Sequence, residues 1–514
     1  MLRATADYLY RNETDAERRT YFLEQFLDRM LTVFAATLLA SLEQSIYDGL
    51  EQNQIRNADD LDKLTRQIGS RYSIWHERHR ELDARWSLID EYFAGLPASK
   101  NSMRQKFPPL FTNLFLLLLV WGLTPCQRLA AQSSKTQTRS EKVRRILQDF
   151  RDKSGFPGAI AGVYFADGTS LAVAVGYANR ETRTPMRKSD LLHAGSVGKM
   201  LFASLALQLI AERRMSLDDR IEQYLGRESW FARLPNGKDI SVRMLLNHTS
   251  GLPEFGDEFM RGLAQFPSRE RSPLEGVKSV LGAKPLHPAG TKFSYSDVNY
   301  LVLGLVIEQV SGKSAYGEIR RRVLKPLALR RILPADRPVI PGLVPGYAGA
   351  SNPFGGDEIM KNGRLVFDPR FEWAAGGFVA NAEDLARWIA AFCQGRAFNS
   401  KLLPEVFKGV DAPGLGKGAR YGFGVVIEDT PIGKAYGHGG FFPGYVTWVR
   451  WYSQQRTAVA LQLNTSDDAL IARPVRDVMN DLVTALYQSP RAKAPNSPRP
   501  HSNKASLARP NPPL

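Results

Sequence analysis

Residues 191–214 read LLHAGSVGKMLFASLALQLIAERR, and in this run Ser196 stands three positions before Lys199. Three residues are nearly one turn of helix, so the two side chains of a Ser-x-x-Lys pair lie on the same side of a helix. The apolar, alanine-rich residues that follow the pair predict a buried helix. A serine hydroxyl needs a base to become a nucleophile. A buried lysine with a lowered pKa can be that base or can polarise another one.

The Ser-x-x-Lys spacing alone also fits a helix N-terminus that is capped by serine. Further segments therefore decide between the two interpretations. Tyr295-Ser296-Asp297 lies in GTKFSYSDVNYLVLG, and His438-Gly439-Gly440 lies in YGHGGFFPGY, where one predicted strand runs into the next. Taken singly, Tyr295 and His438 are more often structural residues. His248, in MLLNHTSGLP, is interpreted as a hydrogen-bonded loop residue.

The segments around these motifs predict one domain over residues 133–488, with a first helix over 140–153. GAIAGVYFADGTSLAVAVGYANRE contains two β-rich runs around a turn, and YGFGVVIED, KAYGHGG, YVTWVRWY and TAVALQLNTS predict strands near the other end. A closing helix follows over 472–487. The fold class is therefore α/β (α+β), with an antiparallel sheet made by both ends of the domain and a helical subdomain inserted between them.

The order of these motifs resembles that of the serine penicillin-recognising family, namely class C β-lactamases, D-Ala-D-Ala carboxypeptidases and related esterases. The resemblance covers about residues 140–487, and it includes HTSGLP and the Gly376-Gly377 stretch AAGGFVANAEDLARW. It implies a β-lactamase/transpeptidase-like fold.

The resemblance also implies a role for each motif residue. Ser196 attacks a carbonyl and forms an acyl-enzyme, while Lys199 holds a hydrogen bond to Ser196 and helps to deprotonate it. Tyr295 is the general base or the proton relay to the leaving group, with its pKa lowered by neighbouring cations. His438 stands where other members have lysine and supplies a positive or hydrogen-bonding edge. The backbone N–H groups of Ser196 and Phe441 form the oxyanion hole.

Two of the residues expected to bind substrate depart from the family pattern, whereas Gly440 keeps it. Asp297 replaces an asparagine, so it accepts but does not donate hydrogen bonds, and its charge favours a protonated Lys199. Gly439 replaces a threonine whose hydroxyl often binds a substrate carboxylate. Both changes favour an esterase or a broad amidase over a β-lactamase.

The segment 103–132 has the anatomy of a secretory signal: Arg104 and Lys106, then an apolar run ending at Leu123, then small residues at 130–131. It predicts export to the periplasm or outside the cell, or membrane anchoring through residues 110–123. Residues 1–102 have helical spacing and are interpreted as a fusion remnant, a region before the natural start, or a cytoplasmic helical module. Residues 14–50 weakly resemble a helical segment of oligoendopeptidases, whose zinc motif is absent.

The formal net charge is +16, and no nucleic-acid-binding motif is recognisable. Residues 489–514 hold seven prolines and no acidic residue, so they cannot form a core and are predicted to be disordered. We expect a serine hydrolase without metal or cofactor that acts through acyl-Ser196. Its expected partner is a small peptide or ester, with peptidoglycan as one source: a D-Ala-D-Ala-type peptide, another D-amino-acid amide or a small ester. The rival interpretation is a binding or sensor protein on the same fold, acylated slowly or not at all.

Overall fold

The computed structural model describes residues 138–349, 352 and 356–487. The predicted helical region 1–102, the segment 103–132 and the tail 489–514 lie outside the described residues. Among the helices that are described, none combines the length and the apolar character needed to cross a membrane.

One long antiparallel sheet organises the domain. In chain order the strands of the described part are β1 (Gly158–Tyr164), β2 (Ser170–Asn179), β3 (Thr184–Pro185), β4 (Leu192–His193), β5 (Ile332–Pro334), β6 (Met360–Lys361), β7 (Arg364–Leu365), β8 (Phe378–Ala380), β9 (Val410–Asp411), β10 (Arg420–Tyr421), β11 (Val426–Thr430), β12 (Gly433–Phe442), β13 (Tyr445–Tyr452) and β14 (Thr457–Leu463). Nine of them pair in the order β3-β2-β1-β14-β13-β12-β11-β10-β9, and the others form small sheets, β4-β8-β5 and β6-β7. The first and last strands of the described residues, β1 and β14, are therefore neighbours inside the sheet.

The helices fall into two groups. Along the described chain they are α1 (residues 138–154), α2 (Lys199–Ala211), α3 (Glu222–Leu225), α4 (Val242–Leu246), α5 (Asp257–Gln265), α6 (Pro273–Lys278), α7 (Asp297–Ser311), α8 (Ala315–Ile319), α9 (Ala382–Cys393), α10 (Leu403–Lys408) and α11 (Val475–Tyr487). Helices α2 to α10 are inserted between β4 and β9, whereas α1 and α11 lie at the two ends of the domain.

The two faces of the sheet bury separate apolar cores. Helices α1 and α11 cover one face through residues such as Leu147 and Met479, and these pack against Val163 of β1. The larger core lies on the other face, where α2 and α9 meet the other inserted helices. Residues alternate between the faces along β1, since Ile160 belongs to the larger core. The observed architecture confirms the predicted fold class, with a sheet from both ends and an inserted helical region.

One local prediction needs correction. The sequence placed Ser196 at the start of an α-helix. In the structure Gly195–Gly198 form a 3-10 turn, and α2 begins only at Lys199. The 3-10 turn runs directly into α2, and Gly195, with a left-handed φ of +51°, marks where the chain enters the turn.

Candidate active site

The 3-10 turn that carries Ser196 is held from two sides. The Ala194 N–H donates to the Phe378 carbonyl of β8 over 2.8 Å. On the other side, β12 approaches Gly195 so closely that a Cβ there would lie 2.8 Å from the Phe441 nitrogen. Only glycine permits both this contact and the left-handed backbone. The nucleophile therefore stands on a turn that is wedged between two strands.

Lys199 points into the same cleft and is completely buried. Its Nζ lies 2.8 Å from Ser196 Oγ and also donates to the Ala375 carbonyl oxygen. An ion pair of 2.6 Å joins the same nitrogen to Asp297 Oδ1. The lysine thus connects the nucleophile, the residue that replaces the family asparagine and the segment before β8.

A lysine that acts as a base needs a lowered pKa, but the pKa of Lys199 is raised. Burial by itself lowers the pKa of Lys199, but the negative charge of Asp297 and the nearby Tyr295 outweigh burial and raise the pKa above its ordinary value. Lys199 is therefore an ammonium ion in the free protein. Of the two roles that the sequence left open, polarising another base fits this charge.

Two further carboxyl groups interact electrostatically with the same ammonium. Glu254 Oε2 accepts the Asp297 N–H over 2.8 Å, which turns this carboxyl inward although the residue as a whole is exposed. Glu372 is half-buried, and burial together with the charge of Asp297 raises its pKa to about 8. Partial burial and Asp297 also raise the pKa of Glu254. We call Glu254, Asp297 and Glu372 the carboxylate cluster.

Tyr295 lies beside the lysine, with its ring centroid 5.1 Å from Lys199 Nζ. Its buried hydroxyl is close to Ser196 and Lys199 but makes no well-aligned hydrogen bond to either. The predicted lowering of its pKa is wrong for the free protein. Burial raises the pKa to about 12, since Lys199 opposes burial only in part and Asp297 adds to it.

His248 supports Tyr295 from behind. The two rings stack with centroids 4.2 Å apart, and His248 Nδ1 accepts the Ser296 N–H over 3.3 Å. His248 also has a left-handed φ of 56°, which is uncommon for a residue other than glycine. These contacts agree with the interpretation of His248 as a loop residue, and they show that the loop holds the tyrosine.

His438 lies on the other side of Tyr295, with ring centroids 6.1 Å apart. Its Nδ1 is 2.6 Å from the Gly439 carbonyl oxygen, which can only accept, so Nδ1 carries the proton. Burial lowers the pKa of His438 to about 3, with a further contribution from Lys199. The ring is therefore neutral, and Nε2 accepts from the Tyr421 hydroxyl at 2.9 Å. His438 therefore presents a neutral, hydrogen-bonding edge rather than a positively charged one.

Phe441 contributes its backbone rather than its ring to the cleft. The ring is 63% exposed, while the strand behind it lies against the Ser196 turn. A side chain at Gly440 would overlap the Ala194 carbonyl oxygen, so glycine is needed for this approach. The N–H groups of Ser196 and Phe441, predicted as the oxyanion hole, thus belong to two segments in direct contact.

Position 439 has a steric reason to be glycine. A Cβ there would lie 2.7 Å from the Trp448 ring, which stands opposite on β13. Trp448 packs against the core under α1 and α11, on the face away from Ser196. A threonine therefore does not fit at position 439 in this sheet.

The structure brings the predicted residues together and adds three that sequence reasoning missed: Glu254, Glu372 and Tyr421. Glu254 follows HTSGLP directly, and Glu372 precedes AAGG, so both lie next to segments that were recognised. Tyr421 carries no sequence signal, because only the pairing of β10 with β11 and β11 with β12 brings it to His438.

Comparison with known proteins places this geometry in a family. The profile of the Beta-lactamase family matches residues 143–484. Penicillin-binding protein 4* of Bacillus subtilis is 23% identical over 348 residues, which cover 65% of this chain and 73% of the relative. D-aminopeptidase of Brucella anthropi is 26% identical over 318 residues, or 60% of this chain, but only 55% of that relative is covered.

A solved structure shows the same fold. D-amino acid amidase from Ochrobactrum anthropi SV3, in complex with L-phenylalanine amide, superposes with a TM-score of 0.58 at 22% identity. The alignment covers 68% of this chain and 98% of the amidase. The chain belongs to the Beta-lactamase family, and it is a serine hydrolase of that family.

Proposed function

We propose that this protein hydrolyses an amide or ester bond next to a D-amino acid whose α-ammonium group is free, through an acyl-Ser196 intermediate. The carboxylate cluster beside Ser196 carries the proposal. Three carboxyl groups interact electrostatically with one lysine ammonium, and the Asp297 side chain remains 22% exposed at the cleft. Burial and the charge of Asp297 keep a proton on Glu372 below about pH 8. A substrate ammonium favours release of that proton and pairs with the carboxylate, whereas a substrate carboxylate would add to the repulsion.

The names of the relatives are the reason for proposing a D configuration of the substrate. One relative is a D-aminopeptidase and one solved neighbour is a D-amino acid amidase. Both names describe substrates with a D-amino acid, and an aminopeptidase acts at a free amino end. The cluster accounts for recognition of the free amino end, because an asparagine at position 297 would leave one anion fewer beside the nucleophile.

The proton path follows from the hydrogen bonds. Lys199 donates to Ser196 Oγ, so the hydroxyl proton of Ser196 must go to another acceptor, and the neighbouring Tyr295 oxygen is in place. An ammonium bound at the cluster offsets the charge of Asp297 and lowers the pKa values of Lys199 and Tyr295. Substrate binding thereby increases the fraction of Tyr295 that is ionised and can accept a proton, and the charged lysine stabilises that phenolate.

The reaction then has two balanced steps. Ser196 Oγ bonds to the carbonyl carbon while its proton passes to the phenolate of Tyr295, which has released its own proton to solvent, and the N–H groups of Ser196 and Phe441 stabilise the oxyanion. The carbon–nitrogen bond breaks, and the leaving amine takes the proton from Tyr295. Water attacks the acyl carbon in the second step, and Ser196 recovers its proton.

The test uses D-phenylalanine amide, its L enantiomer and N-acetyl-D-phenylalanine amide. We expect turnover of the D amide, at least about tenfold slower turnover of the acetylated amide, and none by Ser196→Ala. Intact mass after rapid quenching should show the acyl adduct on the wild type alone. Equal rates with the acetylated amide would reject recognition of the ammonium. A stable penicillin adduct without amide turnover would indicate a carboxypeptidase-type or sensor protein instead.

We also propose that the protein is exported. Support comes from the order of charges, apolar residues and small residues in the segment 103–132. N-terminal sequencing of the protein from its native cells should give a mature end near residue 132. An intact N-terminus in a membrane fraction would favour anchoring through residues 110–123, and one in the soluble cell extract would contradict export.

A further inference from the structure

His193 stands three residues before the nucleophile and takes no part in the reaction steps above. It is 1% exposed and lies in β4, next to β8. Its Nδ1 accepts the N–H of Gly195 over 3.1 Å. Gly195 is the residue with the left-handed backbone that leads directly into Ser196. One end of the imidazole is thus bonded to the turn that presents the nucleophile.

The face of the same ring contacts the other half of the oxyanion hole. His193 stacks on Phe442, with centroids 3.7 Å apart and an interplanar angle of 13°. Phe442 follows Phe441, whose N–H is the second expected donor, and its ring is packed from the far side by Phe367 at 5.0 Å. The backbone of His193 is fixed too, because Thr447 Oγ1 donates to its carbonyl oxygen over 2.8 Å.

The tautomer of His193 follows from these bonds. Nδ1 accepts a hydrogen bond from a backbone N–H, so it carries no proton, and the neutral ring must hold its proton on Nε2. That Nε2 is buried and makes no hydrogen bond within the described residues. Burial also lowers the pKa of His193 to about 3, which keeps the acceptor available at neutral pH.

We propose that His193 is a positioning residue that sets the distance between the two oxyanion donors, the N–H groups of Ser196 and Phe441. It does so by holding Gly195 at Nδ1 and Phe442 against its ring face. The inference rests on the proposed acyl-Ser196 reaction, but it does not depend on the identity of the acyl group. An apolar side chain at position 193 would leave the Gly195 N–H unpaired and the turn free to rotate.

The test compares side chains that place an acceptor at different points. The amide oxygen of asparagine falls near the position of Nδ1, whereas that of glutamine falls near Nε2. We expect His193→Asn to keep kcat for 4-nitrophenyl acetate within about threefold of the wild type. His193→Gln and His193→Leu should lose about 10- to 100-fold in kcat with little change in KM, less than complete removal of one oxyanion donor.

A second readout follows the oxyanion hole itself. Phenylboronic acid forms a tetrahedral adduct with a serine nucleophile, so its inhibition constant should rise by the same factor as kcat falls. His287→Leu is the matched control, because His287 is also buried but its imidazole bonds to Pro288 and Thr291 of its own loop. It should leave both values unchanged.

Two results would overturn the inference. One is an unchanged kcat in His193→Leu. The other is an equal loss in the asparagine and glutamine variants when both melt at the same temperature. Failure of the proposed function has a different signature, since wild type and Ser196→Ala would then hydrolyse the ester equally slowly, and the inference would fall with it.

Discussion

The two sides of Ser196 are built from opposite kinds of chemistry. On one side Lys199 and the carboxylate cluster concentrate charge in a partly open cleft. On the other side neutral rings fill the space: His438 bonded to Tyr421, and His193 stacked on Phe442. The charged side can respond to a ligand, because a cation that binds there favours release of the proton on Glu372. The aromatic side is neutral at neutral pH and closely packed, so its contribution is geometry.

Lys199→Met should have the largest effect, because this residue alone contacts both the nucleophile and the charged side. It removes the cation that polarises Ser196 and leaves Asp297 without its partner. We expect kcat to fall about 10³-fold for D-phenylalanine amide and for 4-nitrophenyl acetate alike. Steady-state kinetics on both substrates is the measurement. A loss confined to the amide would mean that Lys199 serves binding rather than the nucleophile.

Asp297→Asn should separate the two sides. Loss of one anion weakens ammonium binding by about 1.5–3 kcal/mol, so KM for D-phenylalanine amide should rise about 10- to 100-fold. The uncharged ester should be affected far less, and its rate should even increase if Lys199 becomes easier to deprotonate. Asp218→Asn is the control, since this exposed residue pairs with Arg243 instead. Equal effects on amide and ester would contradict the assignment of Asp297 to substrate recognition.

Glu372 makes the stability of the free protein depend on pH. Its pKa is raised from 4.5 to about 8, so between these values the folded state holds a proton that the unfolded state releases. Stability must therefore fall as pH rises through this window. We expect the melting temperature to drop by a few degrees from pH 5 to pH 8, with a flatter profile for Glu372→Gln. Matching slopes for both proteins would contradict this origin.

Tyr421→Phe should give the smallest effect, and it tests the aromatic side. Without the hydroxyl, Nε2 of the buried His438 loses its donor, at a cost of about 1–3 kcal/mol in stability. We expect kcat to fall only about three- to tenfold, with KM unchanged, because His438 affects the reaction only indirectly, through its contact with Tyr295. Kinetics and thermal unfolding measured together decide the point. A shift in KM for the D amide would place Tyr421 on the substrate-binding side instead.

The sequence was sufficient for the parts of the site that lie in short motifs. Ser196 and Lys199 are one turn apart, and the alternating strands near the C-terminus predicted the sheet that carries His438. The sequence could not predict the protonation states, because the pKa of Tyr295 depends on burial among residues distant in the chain. Glu372 was missed for the same reason: it meets Asp297 only after the inserted helices have packed.

The helices at the two ends of the described domain have a consequence for how the chain can be cut and joined. Lys142 Nζ of α1 donates to the Ala485 carbonyl of α11 over 2.9 Å, so the first and last turns of the domain touch. Both helices cover the sheet face opposite to the Ser196 turn. A short linker could therefore close the domain into a ring, and new ends could open at the exposed turn around Asp167 without disturbing the cleft. The two ends of the domain are thus adjacent in space, although they are far apart in the sequence.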